Sequence, residues 1–172
     1  MNSPAAVAMV GLGALGLPIA VNLRRAGYRL NVHTRSRSAE SAAELLDDQG
    51  PTVTSSSSPN EAVKGCAVLL ICVSDDTAVQ NVLWGNRGAG YALTPGSLVI
   101  DCSTIAPATA TAMAKRLSER NVHYIDAPVT GGTEGAKAGT LTVLCGGETA
   151  AVNKARGLLE VIGGSIHHFG DV

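Results

Sequence analysis

Between Ala8 and Gly27 the chain reads AMVGLGALGLPIAVNLRRAG. Gly11, Gly13 and Gly16 fall at G-x-G-x-x-G spacing. An apolar run precedes them, and Leu15, Ile19, Ala20 and Leu23 follow at helical spacing. A dinucleotide site needs glycines in that context. Gly11 allows a tight turn, Gly13 lets the backbone approach a pyrophosphate, and Gly16 lets the helix pack close to the strand. The helix start then offers unpaired N–H groups and a partial positive charge to the phosphates. A glycine-rich strand-to-helix loop with no ligand is the structural alternative.

The next clue is expected about 20 residues further on, where an NAD site carries Asp or Glu for the ribose hydroxyls. This chain reads VHTRSRS over Val32–Ser38 and has no acid until Glu40. Arg35 and Arg37 instead flank Ser36. A guanidinium suits a 2′-phosphate, which a carboxylate would repel. The pattern therefore predicts NADP (NADPH) in preference to NAD, with Arg35 and Arg37 as contacts. Two solvated loop charges are the alternative.

The elements that must hold this site alternate along the chain. Strands are predicted at Val7–Val10 and Leu30–His33, with a short one at Val53. Further strands are predicted at Ala67–Val73, in SLVIDC, in VHYIDAP up to Pro128, and at Ser165–Phe169. The seven apolar residues AVLLICV read as a strand buried on both faces. GTLTVLCGG alternates like a half-exposed strand. Helices are predicted at Leu15–Ala26, Ala39–Leu46, Asp76–Trp84, Pro107–Arg120 and Thr149–Ile162, with a short one near Pro59. NRGAGYALTPG reads as a loop. The alternation argues for an α/β fold, a doubly wound and mostly parallel Rossmann-type sheet with helices on both faces. One domain, 1–172, accounts for the whole length.

Composition narrows the classes. Of 172 residues, 45% are hydrophobic but only 3% aromatic. The core must then be built from Ala, Val, Leu and Ile. Net charge is −1, with no basic block of the kind nucleic acid requires. No apolar run reaches membrane-span length, and MNSPAAVAMVG lacks the basic start of a signal peptide. Cys66, Cys72, Cys102 and Cys145 show no metal-ligand spacing. They read as small buried hydrophobes in a reducing, cytoplasmic setting.

Three more stretches carry a resemblance: DCSTIAP (Asp101–Pro107), DAPVTGGTEGAKAGTLTVLCGG (Asp126–Gly147) and HHFGDV (His167–Val172). With the opening loop they resemble the β-hydroxyacid dehydrogenases over essentially the whole chain. That family includes 3-hydroxyisobutyrate dehydrogenase, tartronate semialdehyde reductase, and glyoxylate/succinic semialdehyde reductases. The resemblance implies reversible hydride transfer between a nicotinamide and a short hydroxy acid or aldehyde acid. It implies cofactor contacts at Gly11, Leu12, Gly13 and Leu15, then at Thr34, Arg35 and Ser36. Val73 and Ser74 match the adenosine and ribose side, and Thr104 the nicotinamide ribose. Thr130, Gly131 and Gly132 match the substrate-binding Ser-Gly-Gly. Two glycines there let backbone N–H groups close on a carboxylate, and a hydroxyl adds one more donor. Thr for Ser keeps the donor and narrows the pocket. Leu15 stands where many members have Met, and Ser74 where many have Pro.

The family's catalytic lysine lies on a helix beyond the position of Val172, in a helical domain that also supplies much of the dimer contact. No catalytic residue is therefore assigned among Lys64, Lys115, Lys137 and Lys154. Lys137, in the substrate loop, is the one placed near the site. The expectation is the NADP-binding domain of an oxidoreductase acting on a small carboxylate substrate. Neither nucleic acid nor a membrane is expected as partner, and a homo-oligomer is expected once the second domain is present. A non-catalytic NADP-binding module and an imine reductase-like nucleotide domain are the alternatives. The absent lysine favours the module for this chain, and DAPVTGG argues against the imine reductase reading.

Overall fold

The computed structural model describes residues 6–35 and 52–172. Six parallel strands form the main sheet: β1 (Val7–Val10), β2 (Leu30–His33), β3 (Val53–Ser55), β4 (Val68–Ile71), β5 (Leu98–Asp101) and β6 (His123–Asp126). Their spatial order is β3-β2-β1-β4-β5-β6. This is the doubly wound order, with its topological switch between β1 and β4. The helices are α1 (Gly16–Arg25), α2 (Pro59–Ala62), α3 (Asp76–Trp84), α4 (Pro107–Ser118), α5 (Gly132–Ala138) and α6 (Thr149–Ile162).

The apolar runs are continuous because each central strand feeds two cores. In β1, Val7 and Met9 join one core and Ala8 and Val10 the other. In β5, Leu98 and Ile100 face the first core while Val99 faces the second. The first core is closed by α1 and α6 through residues such as Ile19, Leu23, Leu158 and Leu159. The second is closed by α2, α3 and α4 through Val63, Val79, Leu83 and Leu117. With so few aromatics, aliphatic packing carries nearly all the burial.

The chain leaves the parallel sheet at Pro128. Ala127 N–H still donates to Asp101 O at 2.8 Å, but proline has no N–H to continue the ladder. A second sheet follows, made of β7 (Val129–Thr130), β8 (Leu141–Cys145) and β9 (Gly163–His168). β7 and β8 are antiparallel, β8 and β9 parallel. A bridge between Asp126 and Gly146 ties this sheet to the first.

Most expected elements are present, with ends shifted by a few residues. Three features differ. GTEGAKA, read as loop, is the helix α5. The last strands form their own sheet. A short 3₁₀ turn at Ala89–Tyr91 interrupts the predicted loop, packed where Gly90 meets the Trp84 ring. The predicted helix at Ala39–Leu46 lies outside the described residues. No helix among the described residues is long and apolar enough to cross a membrane.

Leu23 is fully buried between α1 and the sheet. Leu23→Ala is expected to destabilise the chain by about 2–5 kcal/mol, read as a lower urea midpoint with an unchanged slope.

Candidate functional site

A cavity of 690 Å³ opens at the carboxyl ends of β1, β2 and β4. This is the crevice beside the switch point, where doubly wound sheets take ligands. The loop from Gly11 to Gly16 forms one wall, Thr34 and Arg35 a second, and Cys72 to Ser74 a third.

The three glycines divide as their spacing predicts. A Cβ on Gly16 would stand 1.9 Å from the Gly11 carbonyl oxygen. Gly11 has φ +98°, and a Cβ there would stand 2.1 Å from the Cys72 carbonyl oxygen. Both are forced by close backbone packing. Gly13 is different, because a Cβ there meets nothing within 4 Å. The space beside it is open to a ligand. The first turn of α1 has no side-chain cap and no acid, and both basic residues of its last turn, Arg24 and Arg25, lie at the far end. The donors of that first turn therefore suit an anion supplied from outside the chain.

The other expected contacts distribute as follows. Leu12, Leu15, Thr34 and Arg35 line the cavity with the glycines, as do Val73 and Ser74. Ser36 and Arg37 lie outside the described residues. Thr104 is exposed on the loop after β5, at the same edge of the sheet, but it does not line the cavity. The Ser74 hydroxyl donates to Asp75 Oδ2 at 2.5 Å, so it is engaged within the chain. That bond, then the Ala78 N–H, and more weakly the Arg35 charge, hold the Asp75 carboxyl below the usual carboxylate range. Burial pushes the Cys72 thiol up to about 11. Cys72 is thus a neutral thiol on the wall of the cavity.

Several lining residues carried no signal in the sequence. His33 closes β2, and its Nδ1 lies 2.9 Å from the Ser56 carbonyl, which fixes that nitrogen as the donor. Ala78, Asn81 and Val82 of α3 complete the far end. They sit on separate elements, and no spacing links them.

A buried network joins the loops after β4 and β5. Asp101 Oδ1 accepts from Ser103 N–H at 3.0 Å, and Oδ2 accepts from the Tyr124 hydroxyl at 3.0 Å. Ser103 Oγ in turn accepts from Val73 N–H at 3.0 Å. Asp101 thereby fixes a wall of the cavity from behind. Burial raises its pKa, and the bonds from Ser103 and Tyr124 offset part of that rise. Neighbouring Asp126 has one buried oxygen without a partner. Burial first, and the Asp101 charge second, push it up to about 6.

Thr130, Gly131 and Gly132 are exposed at the junction of β7 and α5. Gly131 has φ +129° and Gly132 φ +63°, conformations that favour glycine. No side chain caps α5. Lys137 sits on α5 itself and pairs with Glu134 at 2.9 Å. Among the described residues no group of three or more His, Cys, Asp or Glu could hold a metal ion. His168 is engaged with the Gly147 carbonyl at 2.7 Å.

The sheet order and glycine loop define a dinucleotide-binding Rossmann domain. The family model for the NAD binding domain of 6-phosphogluconate dehydrogenase matches residues 6–170, and the chain belongs to that family, in its β-hydroxyacid dehydrogenase branch. An NAD-dependent L-serine dehydrogenase of Pseudomonas aeruginosa is 40% identical over 95% of this chain and 53% of its own length. A 3-hydroxyisobutyrate dehydrogenase of Mycobacterium tuberculosis, solved with L-serine, superposes with a TM-score of 0.89. It is 30% identical and covers 98% of this chain and 55% of its own. Psf3, solved with NADP+ and 2-OPP, superposes at 0.83 with 31% identity over 95% of this chain and 56% of its own. The chain spans about half the length of the relatives it matches.

Two substitutions separate the glycine roles. Gly16→Ala is expected to cost about 3 kcal/mol of stability, because backbone must move. Gly13→Ala is expected to change stability by no more than about 1 kcal/mol while weakening dinucleotide binding about tenfold or more, since its methyl would occupy the phosphate's approach. Denaturation and calorimetric titration of each variant read both effects.

Asp126 makes stability depend on pH. Between about pH 4 and pH 6 the folded chain keeps a proton on Asp126 that the unfolded chain has released. Stability therefore falls as pH rises through that window. Asp126→Asn removes the buried charge. It is expected to melt higher than wild type at pH 8, by a margin of about 1 kcal/mol after allowing for solvent screening. The pH-dependent part of the gain should vanish by pH 4.

Proposed function

We propose that this chain is the NADP(H)-preferring half of an oxidoreductase that reduces a small aldehyde acid, or oxidises the matching 3-hydroxy acid. The observation that carries the reading is Arg35 on the cavity wall, at the end of a second strand that closes without an acid. An Asp or Glu at that edge would hold ribose hydroxyls and repel a 2′-phosphate. Thr34 lines the same wall, and Ser36 and Arg37, next in sequence, would extend the phosphate site. Gly11, Gly13 and the first turn of α1 would hold the pyrophosphate. Leu12, Leu15 and Val73 would hold the apolar faces, and Thr104 the ribose at the reactive end.

Bound there, the cofactor supplies or accepts a hydride at its nicotinamide. The chain's own task is to fix that ring and to hold the substrate's carboxylate. Thr130, Gly131 and Gly132 would do the second, with backbone N–H groups and one hydroxyl converging on the anion. No lysine of this chain is assigned as general acid or base, and Lys137 is paired with Glu134. That group, a helical second domain and the oligomer contact belong to a further part of the enzyme in this reading. The four free cysteines fit a reducing, cytoplasmic setting.

Calorimetric titration of NADP+ and NAD+ tests the cofactor preference. A charge-assisted contact to the 2′-phosphate is worth about 1.5–3 kcal/mol, or about 10- to 150-fold in affinity. NADP+ should bind more tightly by that factor. Arg35→Ala should remove most of the difference and Arg37→Ala less. Equal affinities, or a preference for NAD+, would overturn the assignment.

A further inference from the structure

Asn22 lies on α1, two turns past the glycine loop, and takes no part in the cofactor cavity. Its side-chain amide crosses to α5. Nδ2 donates to the Ala136 carbonyl at 2.8 Å and to the Lys137 carbonyl at 3.3 Å. Both carbonyls belong to the last turn of a seven-residue helix, and the Ala136 carbonyl also accepts from the Gly139 N–H at 3.4 Å. Immediately beyond, Gly139 turns the chain at φ +68°, and a Cβ on it would stand 3.5 Å from Asn22 Nδ2. Gly13, Asn22, Thr133 and Lys137 all line one groove along this seam.

We propose that Asn22 is a positioning residue that sets the Thr130–Gly132 loop relative to the cofactor loop. The inference rests on the reading of Thr130–Gly132 as a carboxylate cradle. α1 begins at the phosphate loop, and its Asn22 grips the far end of α5. α5 in turn begins at Gly132. A helix of seven residues is about 10 Å long and stiff, so holding its last turn fixes where its first turn points. Two bonds from one planar amide set orientation as well as distance. On its other side α5 rests on β8, where Gly131 and Gly135 approach Leu141. Beside the apolar packing of Ala136 in the core it shares with Ile19 and Leu23, Asn22 gives this substrate-side unit a directed polar contact to α1, and so to the cofactor.

The test uses the 172-residue chain, ¹⁵N-labelled and saturated with NADP+, with 3-hydroxypropionate as the carboxylate probe. In wild type the probe should shift the Gly131 and Gly132 amides. Asn22→Ala should leave NADP+ affinity within about twofold, because its partners lie outside the cofactor cavity. It should speed hydrogen exchange across Gly132–Ala138, and weaken probe binding about tenfold, as two lost hydrogen bonds allow. Asn22→Gln keeps the amide donors on a longer stem and should restore part of that loss. Asn22→Asp keeps the size but faces two carbonyls with an anion, and should restore none. Wild-type exchange and probe affinity in Asn22→Ala would overturn the inference alone. So would a parallel loss of NADP+ affinity, which would make Asn22 merely structural. Probe shifts absent at Gly131 and Gly132 in wild type would overturn the cradle reading, and this inference with it.

Discussion

Gly16 rests on the carbonyl of Gly11, and Gly11 rests on the carbonyl of Cys72, at separations no side chain could enter. That stack of three backbone segments joins the first turn of α1 to the ends of β1 and β4. It is the closest packing at the switch point of the sheet. Because it is backbone on backbone, its geometry does not depend on rotamers. The donors at the start of α1 are therefore aimed before any ligand arrives, and little ordering cost remains for binding. Gly13, where an added Cβ would meet nothing within 4 Å, is the one position of the three where the chain leaves room.

Preorganisation continues behind the wall. Val73 is held by Ser103, Ser103 by Asp101, and Asp101 by Tyr124. A carboxylate is costly in that position, and burial alone would disfavour its charge. Two donors, one on each oxygen, offset part of the cost and define the loop conformation. Asp126, one strand over, has no such set and keeps an unpaired oxygen. The same residue type thus stands side by side as a satisfied anchor and an unsatisfied one. Burial first and the Asp101 charge second push the Asp126 carboxyl up to about 6, with no hydrogen bond at its buried Oδ1 to offset them.

The parallel sheet was legible because its signals are local. AVLLICV needs two covered faces, and the topology supplies them through the cores on either side of β4. The glycine spacing was legible because each glycine answers a different steric demand. The helix α5 was not. GTEGAKA has two glycines, no apolar stripe and poor propensity. It forms because Ala136 is buried and Asn22 reaches its last turn from 114 residues away. The partners of GTLTVLCGG were equally invisible, since strand pairing is non-local while alternation is not. The far end of the cavity depends on His33, Asn81 and their neighbours, which only the folded topology gathers. Asp101 did carry a signal, an acid closing an apolar run, whose meaning emerges only with Tyr124 beside it.

Pro128 divides the chain into two mechanical units. Before it, every strand among the described residues belongs to the parallel sheet, and the loops after β1, β4 and β5 are constrained by the glycine stack or the Asp101 network. After it, Thr130–Gly132 and α5 rest on a small sheet of their own, joined to the first by a shared core through Leu141, Val143 and Ala136, by the Asp126–Gly146 bridge, and to α1 by Asn22. A substitution in the second unit can alter what the loop receives without disturbing the backbone stack at Gly11. A substitution that shifts α1 cannot spare the second, because α5 packs on α1 and is gripped by its Asn22. Change is therefore asymmetric in this fold: substrate contacts can drift on a fixed cofactor site, whereas a shift of α1 moves both at once.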